Sequence, residues 1–221
     1  IDPRIAICEA RLAPEGSASA PYYNPPSEDL SRPGTTWIPM LGKNEVSNWH
    51  LVSTWYHEAV PGHHLQVGTA TVEKDRLTRF QRTSAWISGY GEGWALYTES
   101  LGTELGLYKD PYQYFGMLGN EMHRAIRLVV DTGIHTKGWT REQAIKYSLE
   151  NEAESEASIT AEIERYMAIP GQALAYKLGE LKIQELKKLA KSELKEKFNE
   201  PEFHDAILED GPLPLSVLET K

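Results

Sequence analysis

The stretch His57-Glu58-Ala59-Val60-Pro61-Gly62-His63-His64 decides how the chain is read. Helices hold zinc most simply with two histidines one turn apart and a glutamate directly after the first. Both imidazoles then reach one ion, and the glutamate lies beside the water at the metal. Here His57-Glu58 supplies the first half, but a proline stands at 61 and the next histidines follow at 63 and 64. In an unbroken helix His63 would point about 120° away from His57. His64 would share the face of His57 yet lie about 10.5 Å along the axis, too far for two Zn–N bonds of about 2.1 Å. Proline removes a helix hydrogen bond and glycine accepts unusual backbone angles. The spacing therefore predicts a two-residue bulge at Ala59–Gly62 that brings His63 back beside His57, as the second ligand, with His64 next to the site.

A third ligand is expected from Gly91-Glu92-Gly93-Trp94-Ala95-Leu96-Tyr97-Thr98-Glu99. Glu92 and Glu99 are seven apart on one face of a helix, roughly opposite a stripe of Trp and Tyr. Gly89, Gly91, Gly93 and Ala95 would let a carboxylate at 92 approach a neighbouring helix closely. Glu92 is the expected ligand, and Glu99 is expected to hold a histidine in its tautomer.

Outward from these motifs the helical period dominates from Asn44 onward. Ser47 or Asn48 can cap a helix carrying Trp49, Val52, Tyr56 and Ala59 on one stripe. A second helix is expected over about 86–105 with Trp86, Tyr90, Trp94, Tyr97, Leu101 and Leu105 as its apolar face. A third, over about 111–133, places Phe115, Leu118, Met122, Ile126 and Val129 on its inner face. Thr140-Arg141-Glu142-Gln143 is a capping-box pattern for a helix through Leu149. Helices over 155–168 and 171–198 are separated by Pro170-Gly171, and Pro201 starts a short one ending before Gly211. On the long helix after Gly171, Leu174, Leu178, Leu181, Leu189 and Leu194 are expected to face inward, and Lys182, Lys187, Lys188, Lys191, Lys195 and Lys197 to face solvent.

Residues 1–45 differ. They carry Pro3, Pro14, Pro21, Pro25, Pro26, Pro33 and Pro39, with two extended stretches, Arg4–Leu12 and Thr35–Leu41, suited to edge strands. The expected organisation is a Pro-rich extended or β arm over 1–45 and a helical metal-binding domain over 46–221. The expected fold class is mainly α, a helical metallopeptidase-like domain with a short extended N-terminal portion.

The 221 residues are 40% apolar and 25% charged, the balance of an ordinary globule. A net charge of −9 argues against nucleic acid as a partner, since phosphate binding wants a basic surface. No apolar run reaches the length of a membrane span. The single cysteine, Cys8, excludes an internal disulfide framework and leaves the compartment open between cytoplasm and export. The chain begins at Ile1 with no signal-like segment and reads as a processed product or a fragment.

HEAVPGHHLQ (57–66) followed by GEGWALYTE (91–99) resembles a large bacterial group known as domain of unknown function 885, whose members are similar to gluzincin metallopeptidases. The resemblance continues through RAIRLVVDTGIHTKGWTREQAI (124–145), ERYMAIPGQALAYKLG (164–179) and FHDAILEDGPLPL (203–215). Gly91-Glu92-Gly93-Trp94 is similar to the Asn-Glu-Gly-Phe element that bears the glutamate ligand in gluzincin aminopeptidases. Dipeptidyl-peptidase III is a looser parallel, with a lengthened HExxH helix. Members of the group are usually longer, with a helical N-terminal half, so the resemblance implies a C-terminal catalytic part whose partner is that missing half. It also implies a peptidase-like C-terminal helix lining the cleft, which draws attention to Arg165, Tyr166, Gln172 and Tyr176. A tyrosine hydroxyl suits a developing oxyanion, and either Tyr166 or Tyr176 can be that donor.

His123, Arg127, Asp131 and His135 recur every four residues, with Arg124 beside them. They are either a salt-bridged surface stripe, with Arg127 and Asp131 paired, or a wall of the cleft. In the second case an arginine binds a substrate carboxylate or His135 donates to the oxyanion.

The expectation from these features is a zinc-dependent hydrolase of peptide or other amide bonds, holding one Zn²⁺ on His57, His63 and Glu92, with Glu58 as general base. The same ligand types also form the facial triad of non-haem iron enzymes, and a degenerate, non-catalytic binding domain is the third alternative.

Overall fold

The computed structural model describes residues 1–18 and 20–221 and is mainly helical, with one small sheet at the N-terminal end. Strands β1 (Cys8–Leu12), β2 (Tyr22–Asn24) and β3 (Gly34–Ile38) form it in the order β1-β3-β2. β1 runs parallel to β3, with Cys8 opposite Gly34, and β2 runs antiparallel to it, with Tyr22 opposite Trp37. Both expected extended stretches hold strands, but Thr35–Leu41 supplies the central strand rather than an edge, since β3 is paired on both sides, and Pro3–Ile5 forms a 3₁₀ turn before β1. The three-residue β2 is too short to have a readable alternation.

The helices follow as α1 (Leu51–Glu58), α2 (His63–Val72), α3 (Arg79–Thr83), α4 (Ser88–Glu104), α5 (Pro111–Lys137), α6 (Arg141–Asn151), α7 (Glu156–Ala168), α8 (Gln172–Leu194), α9 (Glu200–Leu208) and α10 (Leu215–Leu218). Their starts obey local chemistry. Asp110 caps α5 ahead of Pro111, Thr140 and Gln143 form the capping box of α6, and Ser155 caps α7. Gly138 ends α5 in the left-handed conformation, which a glycine enters without steric cost.

One core centres on α4, α8 and α9 and joins Tyr90, Trp94, Tyr97, Leu101, Ile183 and Ile207. The other joins Ile126, Val130, Ile159, Ile163 and Tyr166 of α5 and α7. α4 and α8 touch backbone to backbone: a methyl group on Gly93 would collide with Gly179, and one on Gly179 with Gly89 and Gly93. The approach leaves no room for large side chains between the helices.

That close packing overturns the expected inner faces. On α8 the buried positions are Ala173, Ala175, Gly179, Glu180, Ile183 and Lys187, while Leu178, Leu181, Leu189 (52% exposed) and Leu194 look outward. Lys187 is buried, held by Glu104 (3.0 Å) and by Glu200, where a solvated lysine was expected. On α5, Phe115 (63% exposed), Leu118 and Met122 (54% exposed) also look outward. The inward side of its first half carries Gly116 instead, pressed on the backbone of Trp49. Trp86 precedes α4 and Leu105 caps it, and both are exposed rather than part of its apolar stripe. Periodicity locates an apolar stripe but not the neighbour that covers it.

The N-terminal sheet is fastened to α2. Ile5 is buried against Gly68, and His64 bonds both to Ile5 and to Tyr23.

Candidate metal centre

The helix that begins at Leu51 breaks after Glu58, and a new one starts at His63. The amide of Ala59 still bonds back to the Trp55 carbonyl (2.8 Å), whereas the Ala59 carbonyl accepts from His64 five residues on (3.0 Å). The expected bulge is therefore present at Ala59–Gly62. Gly62 sits so close to the carbonyls of Tyr56 and His57 that no side chain fits there. The indole of Trp94 donates to the Pro61 carbonyl (2.9 Å), tying the bulge to α4.

The break brings His57 and His63 together with ring centroids 4.8 Å apart, at 87° to one another. Glu92 enters from α4. Its Oε2 lies 3.6 Å from His57 Nε2 and 3.3 Å from His63 Nε2, and one ligand atom from each of the three residues falls within 4.8 Å of the others. All three side chains are buried, as is Glu58. Glu92 Oε1 accepts from Gln172 Nε2 (3.3 Å), but Oε2 is buried with no hydrogen-bond partner.

The environment of His57 fixes its tautomer. Glu99 is fully buried and can only accept, so His57 Nδ1 carries the proton it donates to Glu99 Oε1 (2.8 Å). Nε2 is the nitrogen left to a metal, and it faces Glu92 and His63. Glu99 is itself held by Ser53 and by Asn120 Nδ2 (3.0 Å), and Tyr108 donates to its backbone carbonyl (2.8 Å). Burial opposes charge on His57, yet the carboxylates of Glu92 and Glu99 outweigh it and push the imidazole up to about 9. Burial also works against the Glu92 carboxylate, but His57 and His63 hold it well below the usual range. Glu58 is pushed above its ordinary value by burial, partly offset by His57 and His63.

Two buried imidazole nitrogens and an orphaned carboxylate oxygen, aimed at one point, fit a divalent cation of the zinc type. A cavity of about 670 Å³ adjoins them, and Glu58, Tyr176, Trp86, Tyr90 and Val67 are part of its lining.

The remaining expected site residues separate. Tyr176 stacks on His57 (centroids 6.0 Å, 18°) and shares the cavity wall; burial and the nearby Glu92 push its hydroxyl up to about 12. Gln172 bridges Glu92, the Tyr176 hydroxyl (3.3 Å) and Arg127 Nη2 (3.0 Å). Arg127 is buried behind Tyr176, its Cζ 4.1 Å from the ring centroid. Tyr166 lies further back in the α5–α7 core, with Arg127 over its ring and its hydroxyl unpartnered.

Four expectations are corrected by the structure. His64 turns away from the metal cluster. Its Nε2 must donate to the Ile5 carbonyl (2.7 Å), and its Nδ1 accepts from Tyr23 (2.8 Å), so neither nitrogen is free. His135 donates to the Tyr166 carbonyl (3.0 Å) and Arg165 pairs with Glu162 (2.7 Å), so neither lines the cavity. The expected Arg127–Asp131 pair is also absent among the described residues. Asp131 instead accepts from the amides of Gly171 (3.2 Å) and Leu174 (2.9 Å), completing the start of α8.

Sequence reasoning missed Ser53, Tyr108 and Asn120 around Glu99. Ser53 stands one turn before His57 on the same face, a spacing that could have found it. Nothing in the local sequence marks Asn120. Trp86, expected in a core stripe, instead lies beside His63 (centroids 5.7 Å).

The chain belongs to the bacterial protein family of unknown function DUF885, whose pattern matches residues 2–221. It is similar to a solved structure from Colwellia psychrerythraea described as a "putative lipoprotein", with 44% identity and a TM-score of 0.90 over 97% of this chain. A second, from Shewanella oneidensis, is described as a "putative lipoprotein of unknown function". It shares the fold over the whole chain at 23% identity, with a TM-score of 0.74. The chain spans 37% of the first neighbour's length and 41% of the second's. No curated protein matches it. Among the described residues no helix is long and apolar enough to cross a membrane.

Proposed function

We propose that this domain is a zinc-dependent hydrolase of peptide or other amide bonds, related to the gluzincins and forming the catalytic part of a longer protein. The observation that carries the reading is the convergence of His57 Nε2, His63 Nε2 and the unpartnered Glu92 Oε2, with Glu58 beside them on the wall of a cavity. A zinc ion held there supplies Lewis-acid polarisation of a carbonyl and a water of lowered pKa. Glu58, buried and pushed above its ordinary value, would take a proton from the attacking water and return it to the leaving amine. Glu99 keeps His57 in the ligating tautomer, and Gln172 orients Glu92. The Tyr176 hydroxyl, at the cavity wall and protonated at neutral pH, is the donor for the developing oxyanion.

The exposed Phe115, Leu118 and Met122, on the side of α5 away from the site, support a contact with further chain of the kind the longer relatives carry. The descriptions of those relatives support an exported setting.

The test is Glu58→Gln. Hydrolysis of a peptide library should fall by about 10²- to 10⁴-fold while bound zinc stays stoichiometric. A chelator should abolish the wild-type activity and added zinc restore it. A fully active Glu58→Gln variant sinks the mechanism.

A further inference from the structure

The inward face of α5 holds a second unfinished group. Asn120, Arg124 and Arg127 follow Gly116 along it, and Asn120 is spent on Glu99. Arg124 makes no hydrogen bond and no ion pair among the described residues, and its Nε is buried without a partner. Arg127 makes a single hydrogen bond, from Nη2 to Gln172, and its Nε is also buried and unpartnered. Guanidinium nitrogens withdrawn from water without a partner are costly, because desolvation is repaid only by a hydrogen bond or a close counter-charge. Among the described residues no carboxylate lies within ion-pair distance of either, and Glu99 and Glu92 act on Arg124, as Glu162 does on Arg127, only from further off. Glu99 is taken by Ser53, His57 and Asn120, and Asp131 by the amides that begin α8.

The pair stands behind Tyr176, one ring removed from the metal cluster and outside the lining of the cavity itself. Arg124 Cζ lies 5.5 Å and Arg127 Cζ 4.1 Å from the centroid of Tyr176, the ring that stacks on His57 and shares the cavity wall with Glu58 and Glu92. Arg124 is the more exposed of the two, half-buried where Arg127 is buried. We propose that Arg124, backed by Arg127, receives the terminal carboxylate of the substrate, so that the domain acts on amide bonds one or two residues from a free C terminus. A guanidinium offers a carboxylate two parallel donors, and one or two residues span about 3.5–7 Å, a reach suited to a group one ring away from His57. The substrate half of this inference rests on the hydrolase reading; the carboxylate subsite does not.

Binding is tested on the chelator-treated protein, so that a carboxylate cannot register through zinc. N-acetylphenylalanine and its carboxamide are titrated into wild type, Arg124→Ala and Arg124→Gln. The acid should bind wild type at least about ten-fold more tightly than the amide, and both variants should lose that advantage while keeping amide binding and Tm. Equal binding of acid and amide to wild type overturns the proposal, as does an advantage that survives in Arg124→Gln. Inorganic phosphate binding more tightly than the acid overturns it too, by assigning the pair to a different anion. In parallel, the zinc-loaded protein is given one peptide with a free and with an amidated C terminus. Equal cleavage of both removes this inference and leaves the hydrolase reading standing. Acid preference in binding, with neither peptide cleaved, keeps the subsite and removes the hydrolase reading.

Discussion

Glu92 and Glu99 stand two turns apart on the same helix, both buried, and their surroundings are finished to different degrees. Around Glu99 the protein supplies everything: Ser53, Asn120 and His57 all donate to the carboxylate, and Tyr108 donates to the backbone behind it. Around Glu92, among the described residues, Gln172 alone makes a hydrogen bond within the usual geometry, and the other oxygen faces the His57 and His63 Nε2 atoms at 3.6 and 3.3 Å. Buried carboxylates in a stable fold are satisfied. The contrast separates a group that completes the architecture from one that awaits something from outside, although spacing and residue type make the two look alike.

The largest break in that comparison is Glu92→Gln. A neutral amide is a poor zinc ligand, so the purified variant should drop from about one bound zinc per chain to almost none by elemental analysis, with the helical circular dichroism unchanged. Retention of full zinc would mean that Glu92 is only another buried acid. Next comes Glu99→Gln, which keeps the size of the side chain but weakens the hold on the His57 tautomer. Zinc affinity should fall by about 10- to 100-fold in a competition titration, well short of the Glu92 effect. Equal losses in the two variants would erase the distinction. The smallest effect is expected from His64→Ala, because the same contrast recurs in the adjacent histidines of α2. That variant should keep its zinc and lose about 1–3 kcal/mol of stability in denaturant unfolding, through the orphaned Ile5 carbonyl and Tyr23 hydroxyl. Loss of metal with unchanged stability would exchange the roles of His63 and His64.

The sequence made some of this legible and concealed the rest for physical reasons. Pro61-Gly62 announced the bulge, because helix geometry allows no other way to bring His57 and His63 together. Glu92 was marked by the glycines around it, which act as expected at the contact with α8. Glu99 meets His57 as its spacing predicts, and Gln172 meets Glu92. The orientation of α5 did not. Its first half turns a polar row, Asn120, Arg124 and Arg127, toward the site and leaves Phe115, Leu118 and Met122 outside, the reverse of an ordinary amphipathic helix. An apolar stripe normally identifies the core side, and here the polar row is the one with buried partners. α8 deceived in a second way, since its tightest contact is made by glycine and alanine, which carry almost no periodic signal. His135 and Arg165 were misplaced because a carbonyl and a local carboxylate claim them, and neither partner can be read from helical spacing alone.

The meeting of Gly93 with Gly179 has a reach beyond stability. Gly93 adjoins Glu92, and Gly179 lies three residues past Tyr176, so the two helices behave as the jaws of a caliper closed on bare backbone. The gap between the carboxylate on one jaw and the phenol on the other is set by two missing methyl groups. A single carbon added at that joint would move the tyrosine without touching it, and the reach of the pocket would be retuned from behind.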